Sequence, residues 1–395
     1  MIPYVRGKVT RQAHVDLPPG SSEEEYARGG FSGAYAHFYR QHAPVAWSRI
    51  EGPLRPRCFD LGELAGQPAA DFDDYLAGRQ PLLGNDDVVV SMARLTKPMA
   101  YFFRNADADE LVFVHAGHGT LETEFGVLPY RRGDYLVIPR GTTQRLDPAD
   151  VSTFLVIATR GELAEPERGL LGQHALYDPA VLEVPSPSAD GVGSRLAGQS
   201  FAGSAPGVRE WEVRIQRQGE LTSVFYPFCP LDVLGWKGTL TVKRLAVSDI
   251  RPVMSERYHL PPSAHSTFAA DGVIVCTFLP RSLENGDPGA LKVPFYHSNI
   301  DFDEVLFYHD GEFFSRTGVH PGMLTFHPQG IHHGPQPGAA ERAKDAQRTN
   351  EVAVMIDTRR PLAVLAGAER HERADYWQSW GARAATADAN KGRGQ

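Results

Sequence analysis

The chain repeats itself. The run Phe102-Phe103-Arg104-Asn105-Ala106-Asp107-Ala108-Asp109-Glu110-Leu111-Val112-Phe113-Val114-His115-Ala116-Gly117 aligns without a gap on Tyr296-His297-Ser298-Asn299-Ile300-Asp301-Phe302-Asp303-Glu304-Val305-Leu306-Phe307-Tyr308-His309-Asp310-Gly311. A second element follows in each copy, Gly133-x5-Pro139-x-Gly141-x2-Gln144 and Gly322-x5-Pro328-x-Gly330-x2-His333, with the same spacing. Farther on, Thr153–Arg160 resembles Val352–Arg359. Self-similarity on this scale marks a duplicated folding unit and constrains the architecture more than any local propensity does. The copied segments are short β-rich runs, such as Tyr135-Leu136-Val137-Ile138, and they sit in a chain with 39 glycines and 30 prolines. That pattern implies an all-β chain built from two related barrels.

Seven of the 15 histidines fall between His297 and His371. In the second copy they produce His297-x-Asn299-x4-Glu304-x6-Gly311 followed by Gly322-x5-Pro328-x-Gly330-x2-His333, a spacing that has the shape of the cupin signature. A hairpin offers one imidazole and one carboxylate, and a second strand pair brings another imidazole across the barrel. Two histidines and one carboxylate on one face of a metal leave the other face open, the arrangement non-haem iron(II) oxygenases use. The first copy keeps Glu110 but has Phe103 where His297 stands and Gln144 where His333 stands. A phenyl ring cannot ligate a metal, so one site per chain is expected, in the C-terminal half. His115, His118 and His309 fall outside the ligand spacing.

The expected fold class is therefore all-β: a bicupin of two tandem double-stranded β-helix barrels with a few peripheral helices. Residues 1–200 are assigned to an N-terminal barrel with a degenerate site, 201–380 to the metal-bearing barrel, and 381–395 to a disordered tail. Helical periodicity is confined to Ser22–Arg28, Pro68–Leu76, Ala339–Asn350 and Glu369–Ala385.

Composition narrows the partners. A net charge of −8 with dispersed basic residues offers no stripe for a phosphate backbone, so nucleic acid is excluded. No stretch approaches the roughly 18 apolar residues of a membrane span, and the N-terminus lacks a secretory h-region, so a cytoplasmic location is expected. Cys58, Cys229 and Cys276 are odd in number and widely spaced, and are read as buried, inert thiols.

Beyond these motifs the sequence resembles the homogentisate 1,2-dioxygenase family, in particular its shorter bacterial members. The resemblance is carried by Tyr4-x2-Gly7, Gly30-Phe31-Ser32-Gly33-x-Tyr35, Tyr226-Pro227-Phe228-x4-Val233-x2-Trp236-x-Gly238, His259-x2-Pro262-Ser263, Phe295-Tyr296-His297-Ser298-Asn299 and His333-Gly334-Pro335, in the family's order. It implies an Fe(II) enzyme that inserts both atoms of O2 into a 2,5-dihydroxyphenyl ring, and a homo-oligomer built from trimers. His297, Glu304 and His333 match the family's iron ligands, and His327 matches a histidine beside the iron that helps bind the aromatic substrate. His259 matches the acid–base histidine, with His265 as a nearby competitor. Asn299 and His332 are candidate substrate contacts next to the ligands.

Two positions depart from the family pattern. Lys237 replaces a histidine between Trp236 and Gly238, and Phe313 stands where a tyrosine is expected. A lysine there would pair with a substrate carboxylate or act as a base, and Phe313 would give the pocket an apolar wall. Three other readings remain open: a cupin isomerase or hydrolytic enzyme using manganese or zinc, a bicupin binding protein without turnover, and a gentisate-type dioxygenase, against which Glu304 argues.

Overall fold

In the computed structural model, residues 4–62, 74–186, 210–298 and 300–381 are described. A seven-stranded sheet runs in the order Lys243–Ala246, Asp134–Ile138, Asp109–Ala116, Ser152–Thr159, Val88–Leu95, Gln80–Gly84, Ala363–Val364. It faces a six-stranded sheet ordered Glu220–Tyr226, Trp211–Arg217, Phe102–Asn105, Thr143–Pro148, His118–Thr123, Gly126–Arg131. Together these form the first barrel. The second is built on the six-stranded order Ser266–Ala270, Val273–Phe278, Val352–Thr358, Asp303–Asp310, Met323–His327, Arg57–Asp60. Its other wall includes the three-stranded sheet Tyr296–His297, Ser22–Ala27, Tyr35–Arg40. The fold is an all-β, two-barrel cupin.

The duplication survives in detail. Asp109–Ala116 pairs with Ser152–Thr159 and Asp134–Ile138, as Asp303–Asp310 pairs with Val352–Thr358 and Met323–His327. Gly117 and Gly311, the last residues of the aligned run, both have φ of +87°, and a Cβ at Gly311 would stand 2.2 Å from the Asn350 carbonyl oxygen. Only glycine turns the chain there.

Strand alternation sorts the side chains. Val112 and Val114 point into the first barrel, where they meet Leu121, Leu136 and Phe154, whereas Leu111 and Phe113 point out of it. The outward set packs against Val305, Phe307, Val354 and Ile356 of the second barrel, so the two sheets share one core. Sheets packed face to face in this way bury both faces of their strands. Tyr135 Oη meets Thr277 Oγ1 at 2.9 Å across this layer. With Val305 and Phe307 turned outward, Glu304, Leu306 and Tyr308 must face into the second barrel.

The halves also exchange strands. Trp211–Arg217 pairs in parallel with Phe102–Asn105, and Lys243–Ala246 pairs antiparallel with Asp134–Ile138, in the first barrel. Arg57–Asp60 joins the second barrel's sheet beside Met323–His327. The division expected at residue 200 falls outside the described residues.

Several helix expectations give way. Ser22–Ala27 is a strand, because its acidic run finds partners on both faces: Glu23 meets His14, and Glu24 meets Arg40 and His332. Tertiary pairing overrides the helix preference of glutamate. The helix expected at Ala339–Asn350 is limited to Ala339–Ala343, and Glu369–Ala385 gives a short turn at Ala366–Glu369 and a 3-10 turn at Tyr376–Trp380. Residues 74–76 of the Pro68–Leu76 segment are not helical, and the rest lies outside the described residues, as do tail residues 382–395. Cys58 and Cys276 are buried free thiols, and burial pushes the Cys58 thiol up to about 12; Cys229 is only half-buried. Among the described residues no helix is long and apolar enough to cross a membrane.

Candidate metal centre

His297 and His333 face each other across a backbone bridge, each amide donating to the other's carbonyl at 3.0 and 2.8 Å. Glu304 reaches the same point from the strand Asp303–Asp310 of the second barrel's six-stranded sheet. The three side chains are buried and their ligand atoms lie within 4.8 Å of one another. Each imidazole is oriented by its own chain: His297 Nδ1 donates to the Phe295 carbonyl at 3.2 Å and His333 Nδ1 to the Ile331 carbonyl at 3.0 Å. With the proton fixed on Nδ1, both Nε2 lone pairs face Glu304 Oε2, at 3.3 and 3.8 Å. His333 Nε2 is buried with no hydrogen-bond partner. A buried acceptor left open beside a carboxylate fits a missing cation, and two imidazoles with one carboxylate fit a divalent transition metal.

Burial alone would raise the Glu304 carboxyl, but His333, His297 and His327 together hold it well below the carboxylate range. On the paired strand, opposite Glu304, the Asp357 carboxyl is pushed well up by burial and by Glu304 itself.

The first barrel solves the same electrostatic problem without a metal. Glu110, the counterpart of Glu304, is buried and accepts from Arg79 Nη1 at 2.8 Å, Asn105 Nδ2 at 3.1 Å and Gln144 Nε2 at 2.9 Å. Phe103 and Gln144 are paired in register as His297 and His333 are. A guanidinium stands where a metal would neutralise the carboxylate. The duplicated motif revealed the loss of ligands, but Arg79 lies outside the repeat and gave no signal.

A cavity of about 80 Å³ opens beside the metal ligands, several times the roughly 10–15 Å³ that one water needs. His297 and Glu304 line it together with both candidate acid–base histidines, His259 and His265. His259 Nδ1 stands 3.0 Å from Glu284 Oε1, and Glu284 Oε1 accepts from Arg281 Nη1 at 3.1 Å. Burial lowers the pKa of His259 against the pull of Glu284, and takes His265 down to about 3. Arg281, Arg316 and Glu351 complete the polar lining; burial pushes the Glu351 carboxyl up to about 7 although both arginines oppose the shift. Arg316 is buried, donates to the Gly334 and Ser315 carbonyls, and makes no ion pair with a described carboxylate. Sequence reasoning missed Glu284, Arg281, Arg316 and Glu351, which lie outside the repeated motifs. Lone charged residues carry no repeat or spacing pattern that marks them.

The remaining candidates are dispersed. His327 does not line the cavity: its Nδ1 donates to Glu304 Oε1 at 2.8 Å, its Nε2 accepts from Tyr376 Oη at 3.3 Å, and its ring stacks on His333 at 4.9 Å. Phe313 is packed edge-on against Tyr308 in the core, and the neighbouring Phe314 lines the cavity in its place. His332 turns away to Glu24 Oε1 at 2.8 Å. Lys237 is exposed on the first barrel's side of the molecule, next to Trp236, whose indole donates to the Phe125 carbonyl. Asn299 lies outside the described residues. Phe31, from the loop between Ser22–Ala27 and Tyr35–Arg40, lines the cavity with its ring 4.9 Å from that of His297.

Comparison with known proteins adds an independent line. A family model described as "Homogentisate 1,2-dioxygenase N-terminal" matches residues 67–244. A Saccharolobus solfataricus protein named "Putative dioxygenase SSO1533" is 31% identical over 398 residues, covering 96% of this chain and 99% of that one. A homogentisate 1,2-dioxygenase of Nitrobacter hamburgensis is 25% identical over 70% of this chain and 62% of its own length, so the chain spans somewhat less than two-thirds of that relative. Among solved structures, a cupin 2 conserved barrel domain protein from Leptotrichia buccalis matches 71% of this chain and 88% of its own at 10% identity, with a TM-score of 0.32.

Proposed function

This chain belongs to the homogentisate 1,2-dioxygenase family, and from that premise we propose that it is an Fe(II)-dependent dioxygenase opening the ring of homogentisate or a related hydroquinone-type aromatic acid. The observation that carries this reading is the convergence of His297 Nε2, His333 Nε2 and the Glu304 carboxylate beside a cavity that His297 and Glu304 line. Iron held there supplies the electron-transfer chemistry that allows an electron-rich ring to react with O2.

The protein's own groups do the rest. Phe31, Phe278, Leu306 and Met355 form apolar walls that exclude water and hold a flat ring. His259, neutral through burial and steadied by Glu284, accepts a phenolic proton and returns it, with His265 on the same wall. Arg316, a buried cation with no ion pair among the described residues, supports a substrate that carries a carboxylate. Arg281 is already shared with Glu284 and contributes less. His327 acts through Glu304 as a positioning residue. A trimer-based homo-oligomer is part of the same proposal, supported by the exposed side chains Leu221, Phe225, Phe228, Leu234 and Leu240, and sedimentation equilibrium tests it.

Anaerobic reconstitution with ferrous iron, followed by oxygen uptake on homogentisate, gentisate and unsubstituted hydroquinone, tests the function. Uptake on homogentisate or a near relative, lost together with iron in His297→Ala, is expected. Iron-loaded protein that consumes no oxygen with any of them would sink the proposal and favour an isomerase or a binding protein.

A further inference from the structure

A second group of two imidazoles and one carboxylate lies outside the proposed active site. His14, Glu23 and His37 offer ligand atoms within 4.8 Å of one another. They come from three segments: the stretch before the first strand, the strand Ser22–Ala27, and the strand Tyr35–Arg40. In the antiparallel pair Glu23 lies opposite Tyr39 and Glu25 opposite His37, so Glu23 and His37 are diagonal neighbours on one face of the sheet. The geometry points to a second divalent-metal site here, of the zinc-type imidazole–imidazole–carboxylate class, which staples the N-terminal hairpin against the wall of the cavity.

Three observations support it. His14 and Glu23 are buried, with His14 Nδ1 2.7 Å from Glu23 Oε2. Buried charge of this kind needs a counter-charge, and the second carboxylate oxygen accepts from the His14 amide at 3.2 Å. His37 Nδ1 is a buried atom without a hydrogen-bond partner, and it faces that oxygen at 3.6 Å, too far for a hydrogen bond and suited to two ligands sharing an ion. Finally, His37 lines an open groove with Arg6, Lys8, Tyr39 and Arg40, so one of the three side chains borders solvent. Of the arginines in that groove, Arg40 is paired with Glu24.

The site has a mechanical consequence. The His14 ring stacks on Phe295 with centroids 4.2 Å apart and planes 13° from parallel, and the Phe295 carbonyl accepts from His297 Nδ1. The same hairpin carries Phe31 onto the His297 ring. An ion held by His14, Glu23 and His37 therefore fixes both the backbone that orients one proposed iron ligand and the aromatic wall above it.

The test is a metal count with zinc alone as the probe. The whole chain is stripped with chelator, saturated with zinc, dialysed and analysed, with near-UV circular dichroism confirming the native fold of each variant. Two ions per chain are expected for the natural sequence, one each for His37→Ala, Glu23→Gln and His297→Ala, and none for the His37→Ala/His297→Ala pair. The His37 ring, 16% exposed where Glu23 is fully buried, makes its removal a milder change than that of Glu23. A count that neither His37→Ala nor Glu23→Gln lowers would overturn the site, whatever the total, and show His14–Glu23 to be an ordinary hydrogen-bonded pair. Because His297→Ala reports on the other site, failure here leaves the proposed function untouched.

Discussion

Replacing His327 by phenylalanine separates two roles for that residue. The family resemblance makes it a substrate contact, whereas the structure puts it behind Glu304, sandwiched between His333 and Tyr376. Burial pushes its pKa down to about 3, so at neutral pH the ring is uncharged and donates through Nδ1 to Glu304 Oε1 at 2.8 Å. His327→Phe keeps the stacked ring and removes that one donor. A hydrogen bond to a charged group contributes about 1.5–3 kcal/mol net. Loss of a partner behind a metal ligand costs roughly 10–100-fold in affinity, or about 1.4–2.8 kcal/mol, so the two routes agree. The assay is an anaerobic ferrous titration against a chromophoric chelator, with kcat and KM measured at saturating iron. A 10–100-fold weaker iron affinity with a nearly unchanged KM is expected. Because the change also strips Tyr376 Oη of its acceptor, the His327→Phe/Tyr376→Phe variant should recover stability while its affinity stays low. Wild-type iron affinity combined with a raised KM would refute the positioning role.

Three further outcomes follow from the cavity and the shared core. Arg316→Met should raise KM for a carboxylated hydroquinone by about 10–100-fold and leave an uncharged hydroquinone nearly unaffected, from the loss of a charge-assisted contact; equal losses on both would remove Arg316 from substrate recognition. The Glu351 carboxyl is raised by burial from 4.5 to about 7, so its contribution to stability is complete below pH 4.5 and is lost as pH rises through about 7, by at most about 3 kcal/mol and less where cavity water screens it. Urea midpoints at pH 5 and pH 8 should therefore differ less in Glu351→Gln than in the natural protein, and an identical pH dependence in both would contradict this. Phe307→Ala, in the layer between the barrels, should cost about 3–5 kcal/mol and keep a single urea transition; two separated transitions would show that the barrels fold independently.

The parts of the fold legible in the sequence are those written in local pattern. The gapless copy of Phe102–Gly117 in Tyr296–Gly311 implied paired barrels, and alternation along Asp303–Asp310 was enough to send Glu304 inward once Val305 and Phe307 were core. Matched glycines such as Gly117 and Gly311 mark the same backbone turn twice. What stayed hidden depends on partners remote in the chain. Glu23-Glu24-Glu25 reads as helix until His14, Arg40 and His332 are known to bracket it. Arg79 neutralises Glu110 from outside the repeat, and Arg316 reaches the cavity through a loop with no motif. Phe313 and Lys237 looked like pocket residues because their positions depart from a family pattern. Packing against Tyr308 and exposure on the first barrel set their surroundings instead, and neither can be read from spacing.

One divalent ion is predicted to sit between His297, Glu304 and His333 in the second barrel. Anomalous diffraction at the iron edge from anaerobically iron-loaded crystals tests it most directly. A peak within coordination distance of His297 Nε2, His333 Nε2 and the Glu304 carboxylate is predicted, with none beside Glu110, where Arg79 already supplies the charge. A peak beside Glu110, or loaded iron that leaves the three side chains without density between them, would contradict it.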